Sequence, residues 1–138
     1  MRVWIYTRLS NDDDPERDSL QNQERICREF AAQRGDNIVG LSSDDNISGM
    51  NFSRRGLSRL TAAVEAGGLD GVVVKDLSRL GRHRTQTTLF IDYLRERGVR
   101  VLSATERLDT FREEDDLIIG VRGLMNDYYA RDIGKKIR

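Results

Sequence analysis

Short apolar runs alternate along the chain with segments of helical period. Arg2–Thr7 (RVWIYT) is rich in β-branched and aromatic residues and predicts a strand. The polar stretch Ser10–Asp18, with Asp12–Asp14 and Pro15, predicts a loop. From Ser19 to Arg34, apolar positions at Leu20, Cys27 and Ala31 form a helical stripe. Ser19 is a candidate N-cap for that helix and Gly35 its stop. Asn37–Ser42 predicts a weaker strand, and Gly56–Ala66 a short helix ended by Gly67-Gly68. Gly71–Lys75 (GVVVK) predicts a buried strand, Thr85–Arg97 a helix stopped by Gly98, and Val99–Ala104 a further strand. The order β-α-β-α-β-α-β is that of an α/β fold, a three-layer domain with a mostly parallel central sheet.

The last segment has a different pattern. From Asp115 to Arg138, Leu117, Val121, Leu124 and Tyr128 fall at helical spacing, with Ile118 and Met125 alongside, then Ile133 and Ile137. A continuous helix of that length spans ~36 Å, about the width of the domain. The expected division is therefore an α/β core over 1–114 and the start of a long C-terminal helix over 115–138. Its apolar stripe suits packing on a partner chain or across the core. The chain stops at Lys135–Arg138 (KKIR) with no C-cap signal, which reads as a truncated or excised domain.

Composition narrows the function classes. A chain of 138 residues makes about one domain. One cysteine, Cys27, excludes an internal disulfide framework and fits a reducing compartment. One histidine, His83, excludes the common zinc sites. No apolar run reaches transmembrane length, and polar residues from Arg8 onward leave no signal peptide. The formal net charge is +0, yet its distribution is uneven. Residues 52–84 hold seven Lys or Arg against three acids, while residues 1–51 hold six Arg against ten acids. Twenty of the 23 basic residues are Arg, the side chain that grips phosphate with two parallel donors. An Arg-rich codon bias gives the same composition.

Three polar clusters follow the expected strands: Tyr6–Ser10, Asp44–Gly49 and Lys75–Arg82. In a parallel α/β sheet the carboxyl ends of the strands share one edge, where ligands bind. These clusters, distant in sequence, should meet there. They bring two hydroxyls, Ser10 and Ser48, to three guanidiniums, Arg8, Arg79 and Arg82, with Arg54 at the mouth of the second helix. A serine attacking a carbonyl wants a histidine base, and none is evident. A phosphodiester instead wants fixed cations on its non-bridging oxygens, and those cations also lower the pKa of a nearby serine. The set therefore suits attack by a serine on phosphate. Taken singly, each residue has a plainer role. Ser10 can cap a turn, Arg8 can pair with the acids at 12–14, and Arg79 and Arg82 can bracket a helix start. Cys27 belongs to an apolar helix stripe. The acidic runs Asp12–Asp14 and Glu113–Asp116 read as solvated loop or helix start rather than metal ligands.

Taken together, Tyr6-x-Arg8-x-Ser10, Ser19-Leu20-x-x-Gln23, Ser48-Gly49, Arg54-x-Gly56-Leu57 and Arg79-Leu80-Gly81-Arg82 resemble the catalytic domain of the serine recombinases, the resolvase/invertase family. The resemblance runs in order over essentially the whole chain. The ending from Asn126 to Arg138 looks most like the large serine recombinases of transposons and other mobile elements. It implies that Ser10 attacks a DNA phosphate, leaving the protein on the 5′ end and freeing a 3′ hydroxyl, with neither ATP, cofactor nor metal. It also implies that Arg8, Arg79 and Arg82 bind the scissile phosphate. Gln23, Asp45, Ser48 and Arg54 map onto supporting positions, and Tyr6 onto one that holds the site from the strand. The implied partners are double-stranded DNA and further copies of the chain, dimers meeting as a tetramer through the long helix. Further DNA-binding domains would follow that helix, in a bacterial, cytoplasmic protein.

Two positions depart from the family pattern. Many resolvases carry an acid directly before the first Arg of R-L-G-R; here that residue is Ser78, with Asp76 two positions upstream. In an extended segment Asp76 would point the same way. In the long helix Ala130, where Glu is common, precedes Arg131, a candidate contact to DNA or the site. Two rival classes share the strand-end edge: a DNA-binding or assembly module without chemistry, and a regulator that binds a small phosphate ligand.

Overall fold

The computed structural model describes residues 1–46, 54–81, 83–112 and 115. Strand β1 (Arg2–Leu9) leads through helix α1 (Leu20–Arg34) to β2 (Asn37–Asp45). Helix α2 (Arg55–Ala66) leads to β3 (Gly71–Val74), then α3 (Arg84–Glu96), β4 (Arg100–Ser103) and β5 (Leu108–Asp109). The sheet order is β2-β1-β3-β4-β5. The first four strands run parallel, and β5 closes the far edge antiparallel to β4. The expected α/β architecture is present, and β5 adds to it.

The two faces are covered by different helices. Cys27 and Ala31 of α1 pack against Val3, Ile5, Val73 and Leu102. Leu60 and Val64 of α2, with Ile91 and Leu94 of α3, pack against Tyr6, Val72, Val74 and Val101. All four residues of β3 are buried, as a continuous apolar run between two helical layers requires.

Local chemistry sets the ends of α1. The Ser19 hydroxyl accepts the Asn22 N–H at 3.1 Å, and Gly35 closes the last turn at φ 76°, a left-handed cap. Its buried row is Gln23, Cys27 and Ala31, so a polar residue takes the end of the stripe nearest the strand edge. Close approach matters at α2, where a Cβ on Gly56 would lie 2.5 Å from the Ser43 carbonyl oxygen. Only a bare Cα lets the first turn of α2 rest on β2.

The chain order places a switch point between β1 and β3, because the crossovers through α1 and α2 leave β1 and β2 in opposite directions across the sheet. The long helix expected over 115–138 lies, apart from Asp115, outside the described residues. No helix among the described residues is long and apolar enough to cross a membrane.

Candidate active site

The carboxyl ends of β1 and β3 flank the switch point, and both continue directly into polar segments. After β1 come Ser10 and the acidic loop to Asp18. After β3 come Lys75, Asp76 and a single 3₁₀ turn, Leu77–Leu80. Asp76 starts that turn by accepting the Ser78 N–H at 3.1 Å. The turn carries Arg79 inward, where it is 3 % exposed. Arg79 thus sits in a 3₁₀ turn rather than at the start of a longer helix, and Asp76 meets it by capping that turn.

Ser10, Asp13 and Arg79 converge on one atom. The Asp13 Oδ2 accepts the Ser10 N–H at 2.8 Å, the Ser10 hydroxyl at 3.2 Å and Arg79 Nη1 at 2.7 Å. The same Nη1 donates to the Arg8 carbonyl at 2.9 Å, and Nη2 donates to Asp76 at 3.2 Å. Burial works against ionisation of Asp13, but the Ser10 N–H and the Arg79 guanidinium outweigh it and lower its pKa. Burial likewise disfavours charge on Arg79, and Asp13 and Asp76 outweigh that and raise its pKa. The acids at 12–14 therefore supply a partner to Arg79. Arg8 turns its Nη2 to the carbonyls of Ser78 and Gly81, the latter at 3.3 Å.

Beneath this cluster lies a buried anchor. Gln23 donates through Nε2 to the carbonyls of Arg8 at 2.8 Å and Asp18 at 2.7 Å, and its Oε1 accepts the Arg8 N–H at 3.2 Å. One amide thus ties the end of β1 to the end of the acidic loop. Asp18 is buried against Lys75 and lies 3.6 Å from Arg79 Nη2. Burial pushes its pKa up, yet the hydrogen bonds from Lys75 and Arg17 overcome this and hold it well below the ordinary carboxylate range.

Arg8 and Arg79 also line a cleft of about 280 Å³, together with Tyr6, Asp44, Asn46, Arg54, Leu57, Gly81 and the exposed Leu89 among others. Ser10 is not in its lining. Tyr6 donates its hydroxyl to Asp44 Oδ2 at 2.7 Å. Asp44 also accepts the N–H of Gly56 at 2.7 Å and of Leu57 at 3.0 Å, so it caps α2 from β2. Burial, then Asp44, raises the pKa of the Tyr6 phenol, which stays a neutral donor.

The fold thus brings Arg8, Ser10, Arg79, Gln23, Tyr6 and Arg54 to one edge. Asp45 stands exposed at the end of β2, while its neighbour Asp44 is buried and holds Tyr6. Ser48, Arg82 and Arg131 lie outside the described residues. Sequence reasoning gave no site role to Asp44, Asp13, Asp18 or Lys75. Strand alternation carries a signal for Asp44, which shares a face with Ser42 and faces α2. Among the described residues no cluster of three or more His, Cys, Asp or Glu could hold a metal ion.

The chain is similar in sequence and in fold to known proteins. The serine recombinase gin of Escherichia phage Mu is 37 % identical over 67 residues, 49 % of this chain and 34 % of its own length. The DNA-invertase of Escherichia phage P1 is 34 % identical over 70 residues, 51 % of this chain and 37 % of its own. The chain thus spans about a third of the length of these relatives. Among solved structures, a resolvase family site-specific recombinase from Streptococcus pneumoniae superposes with a TM-score of 0.77 at 25 % identity, covering 99 % of this chain and 93 % of that one. The N-terminal catalytic domain of TP901-1 integrase superposes with a TM-score of 0.76 at 24 % identity, covering 95 % and 98 %, a likeness of fold. The family model for the resolvase N-terminal domain matches residues 3–138, and this chain belongs to that family.

Proposed function

We propose that this chain is the catalytic domain of a site-specific DNA recombinase that cuts and rejoins DNA through a 5′-phosphoserine intermediate. The observation that carries the reading is the convergence of the Ser10 hydroxyl and the Arg79 guanidinium on a single point, 3.2 and 2.7 Å away. Ser10 Oγ gives up its proton as it bonds to phosphorus, the bond from phosphorus to the 3′ oxygen breaks, and that oxygen takes up a proton and leaves as a hydroxyl. One phosphodiester is exchanged for another of similar energy, so rejoining by the 3′ hydroxyl needs no ATP. Arg8 and Arg79, joined by Arg82, hold the phosphate and the charge that grows on its oxygens. Arg54 extends the cationic rim along the cleft, with Asp45 and Ser48 as further supporting groups, and Tyr6 and Gln23 fix the strand that carries Arg8 and Ser10.

Membership of the resolvase family supports, as part of the same proposal, the remaining parts of the reading. Residues 115–138 begin a helix through which dimers meet as a tetramer, with Arg131 near DNA, and further DNA-binding domains choose the site in a cytoplasmic bacterial protein. The net charge of +0 supports weak DNA binding by residues 1–138 alone. The deciding experiment incubates the full-length protein with a nicked DNA carrying its recombination site. A denaturation-resistant adduct on the 5′ end, formed in chelator and lost in Ser10→Ala, is the expected result. A folded, DNA-bound protein that forms no adduct would instead be an assembly or DNA-binding module without chemistry.

A further inference from the structure

We propose that the Asp13 carboxylate occupies the seat of the scissile phosphate in the DNA-free protein, so that DNA must displace it before Ser10 can react. This rests on the recombinase reading above and concerns regulation of the same site. Three donors meet Asp13 Oδ2: the Ser10 N–H at 2.8 Å, the Ser10 hydroxyl at 3.2 Å and Arg79 Nη1 at 2.7 Å. A phosphodiester poised for attack needs its phosphorus ~3–3.5 Å from the Ser10 oxygen and a non-bridging oxygen on the guanidinium. Both requirements point to the volume that Asp13 fills. Two anions cannot share it, since like charges in contact in a partly desolvated site repel strongly.

Arg79 also meets Asp76 and Asp18, but those carboxylates have other work. Asp76 caps the 3₁₀ turn through the Ser78 N–H, and Asp18 is buried against Lys75. Asp13 is the one that also binds the nucleophile. It lies in the Ser10–Asp18 loop rather than in the sheet, and its side chain is 15 % exposed against 3 % for Asp18. Swinging it away therefore breaks no strand pairing. Burial pushes its pKa up, but the Ser10 N–H and Arg79, the donors a phosphate would use, outweigh burial and lower it.

The test uses Asp13→Asn, which keeps an oxygen for the Ser10 N–H and removes the charge, in the full-length protein. Asp12→Asn, at the exposed neighbour, controls for net charge. The probe is dimethyl phosphate, the smallest phosphodiester, read by phosphorus NMR line width. Asp13→Asn should bind it at least ~10-fold more tightly than wild type, Asp12→Asn within ~2-fold, and the gain should vanish in Asp13→Asn/Arg79→Ala. Equal or weaker binding by a folded Asp13→Asn overturns the proposal. A second arm measures the Ser10–DNA adduct at limiting DNA, where Asp13→Asn should react several-fold faster. Loss of the adduct in a folded Asp13→Asn that gains no probe affinity also overturns it, and would assign Asp13 to accepting the Ser10 proton. If neither protein forms an adduct yet Asp13→Asn gains probe affinity, the phosphate seat stands and the recombinase reading fails.

Discussion

At the carboxyl end of β1, neighbouring residues serve two clusters built on opposite physical terms. Tyr6 bonds to Asp44, which in turn takes two backbone N–H groups from α2. The partners named there, Tyr6, Gly56 and Leu57, belong to a strand or a helix, and Tyr6 and Asp44 are each 2 % exposed. Just beyond the same strand, Ser10, Asp13 and Arg79 meet between a loop and a 3₁₀ turn. That cluster is held by opposite charges at a half-exposed serine. In the first cluster, removing Asp44 takes the acceptor from donors held on β1 and α2. The second offers bonds that a phosphate anion can take over. Under the proposed function the first is scaffold and the second machinery, although both are polar networks at the same edge.

The largest expected effect lies on the scaffold side. Asp44→Ala would leave the buried Tyr6 hydroxyl and Gly56 N–H, and the partly buried Leu57 N–H, without their acceptor. Each orphaned donor costs ~1–3 kcal/mol, so urea denaturation should report a loss of about 4 kcal/mol. A loss under about 1 kcal/mol would mean that water replaces Asp44 freely and that the two clusters do not differ in kind.

Much of the scaffold was legible in the sequence, and the limits have physical causes. β1, α1, β3, α3 and β4 were marked by apolar runs and glycine stops, which report burial directly. β2 was expected to end at Ser42 because Ser43, Asp44 and Asp45 read as loop. It runs on to Asp45 because it is an edge strand whose polar side chains serve neighbours. Trp4 donates to Ser42 at 2.9 Å, Ser42 to the Gly56 carbonyl at 2.7 Å, and Thr7 and Ser43 share a hydrogen bond of 2.6 Å. β5 was missed because two residues carry no period. The sequence places Arg8, Ser10 and Arg79 at or just beyond strand ends, and the fold brings these three to one edge. The site's carboxylates were not legible, since Asp12–Asp14 looks like any solvated acidic loop. The pairing of Asp13 with Arg79 joins residues 66 apart in sequence, which no local pattern reports.

The second effect tests whether charge holds the machinery side. Asp18 sits against Lys75 with its carboxyl held below the ordinary value of 3.8, burial opposing and the Lys75 and Arg17 hydrogen bonds prevailing. A carboxyl with a depressed folded pKa contributes stability that is full above its unfolded pKa and lost as pH falls through the folded value. Wild-type stability should therefore decline as the pH drops below about 4, towards the folded pKa of Asp18. Asp18→Asn should lose ~2 kcal/mol at neutral pH by leaving Lys75 poorly paired, and should show a shallower decline in acid. Denaturation curves at a series of pH values measure both. Parallel acid slopes for the two proteins would remove Asp18 from the electrostatic account.

Tyr6→Phe separates packing from hydrogen bonding at the scaffold, with the smallest effect of the three. The ring stays in the core beside Leu60 and Val72, so no cavity forms. Only the hydroxyl is lost, and Asp44 keeps two backbone donors, so stability should fall by about 1 kcal/mol. The contrast with Asp44→Ala is informative, because both substitutions cut the same 2.7 Å bond but only one strands buried donors. If the Ser10–DNA adduct still forms at nearly the wild-type rate in Tyr6→Phe, the phenol acts through the strand alone. A rate loss of ~100-fold with stability nearly intact would instead bring the phenol to the reacting phosphate across the cleft that it lines with Arg8 and Arg79, and Tyr6 would move from scaffold to machinery.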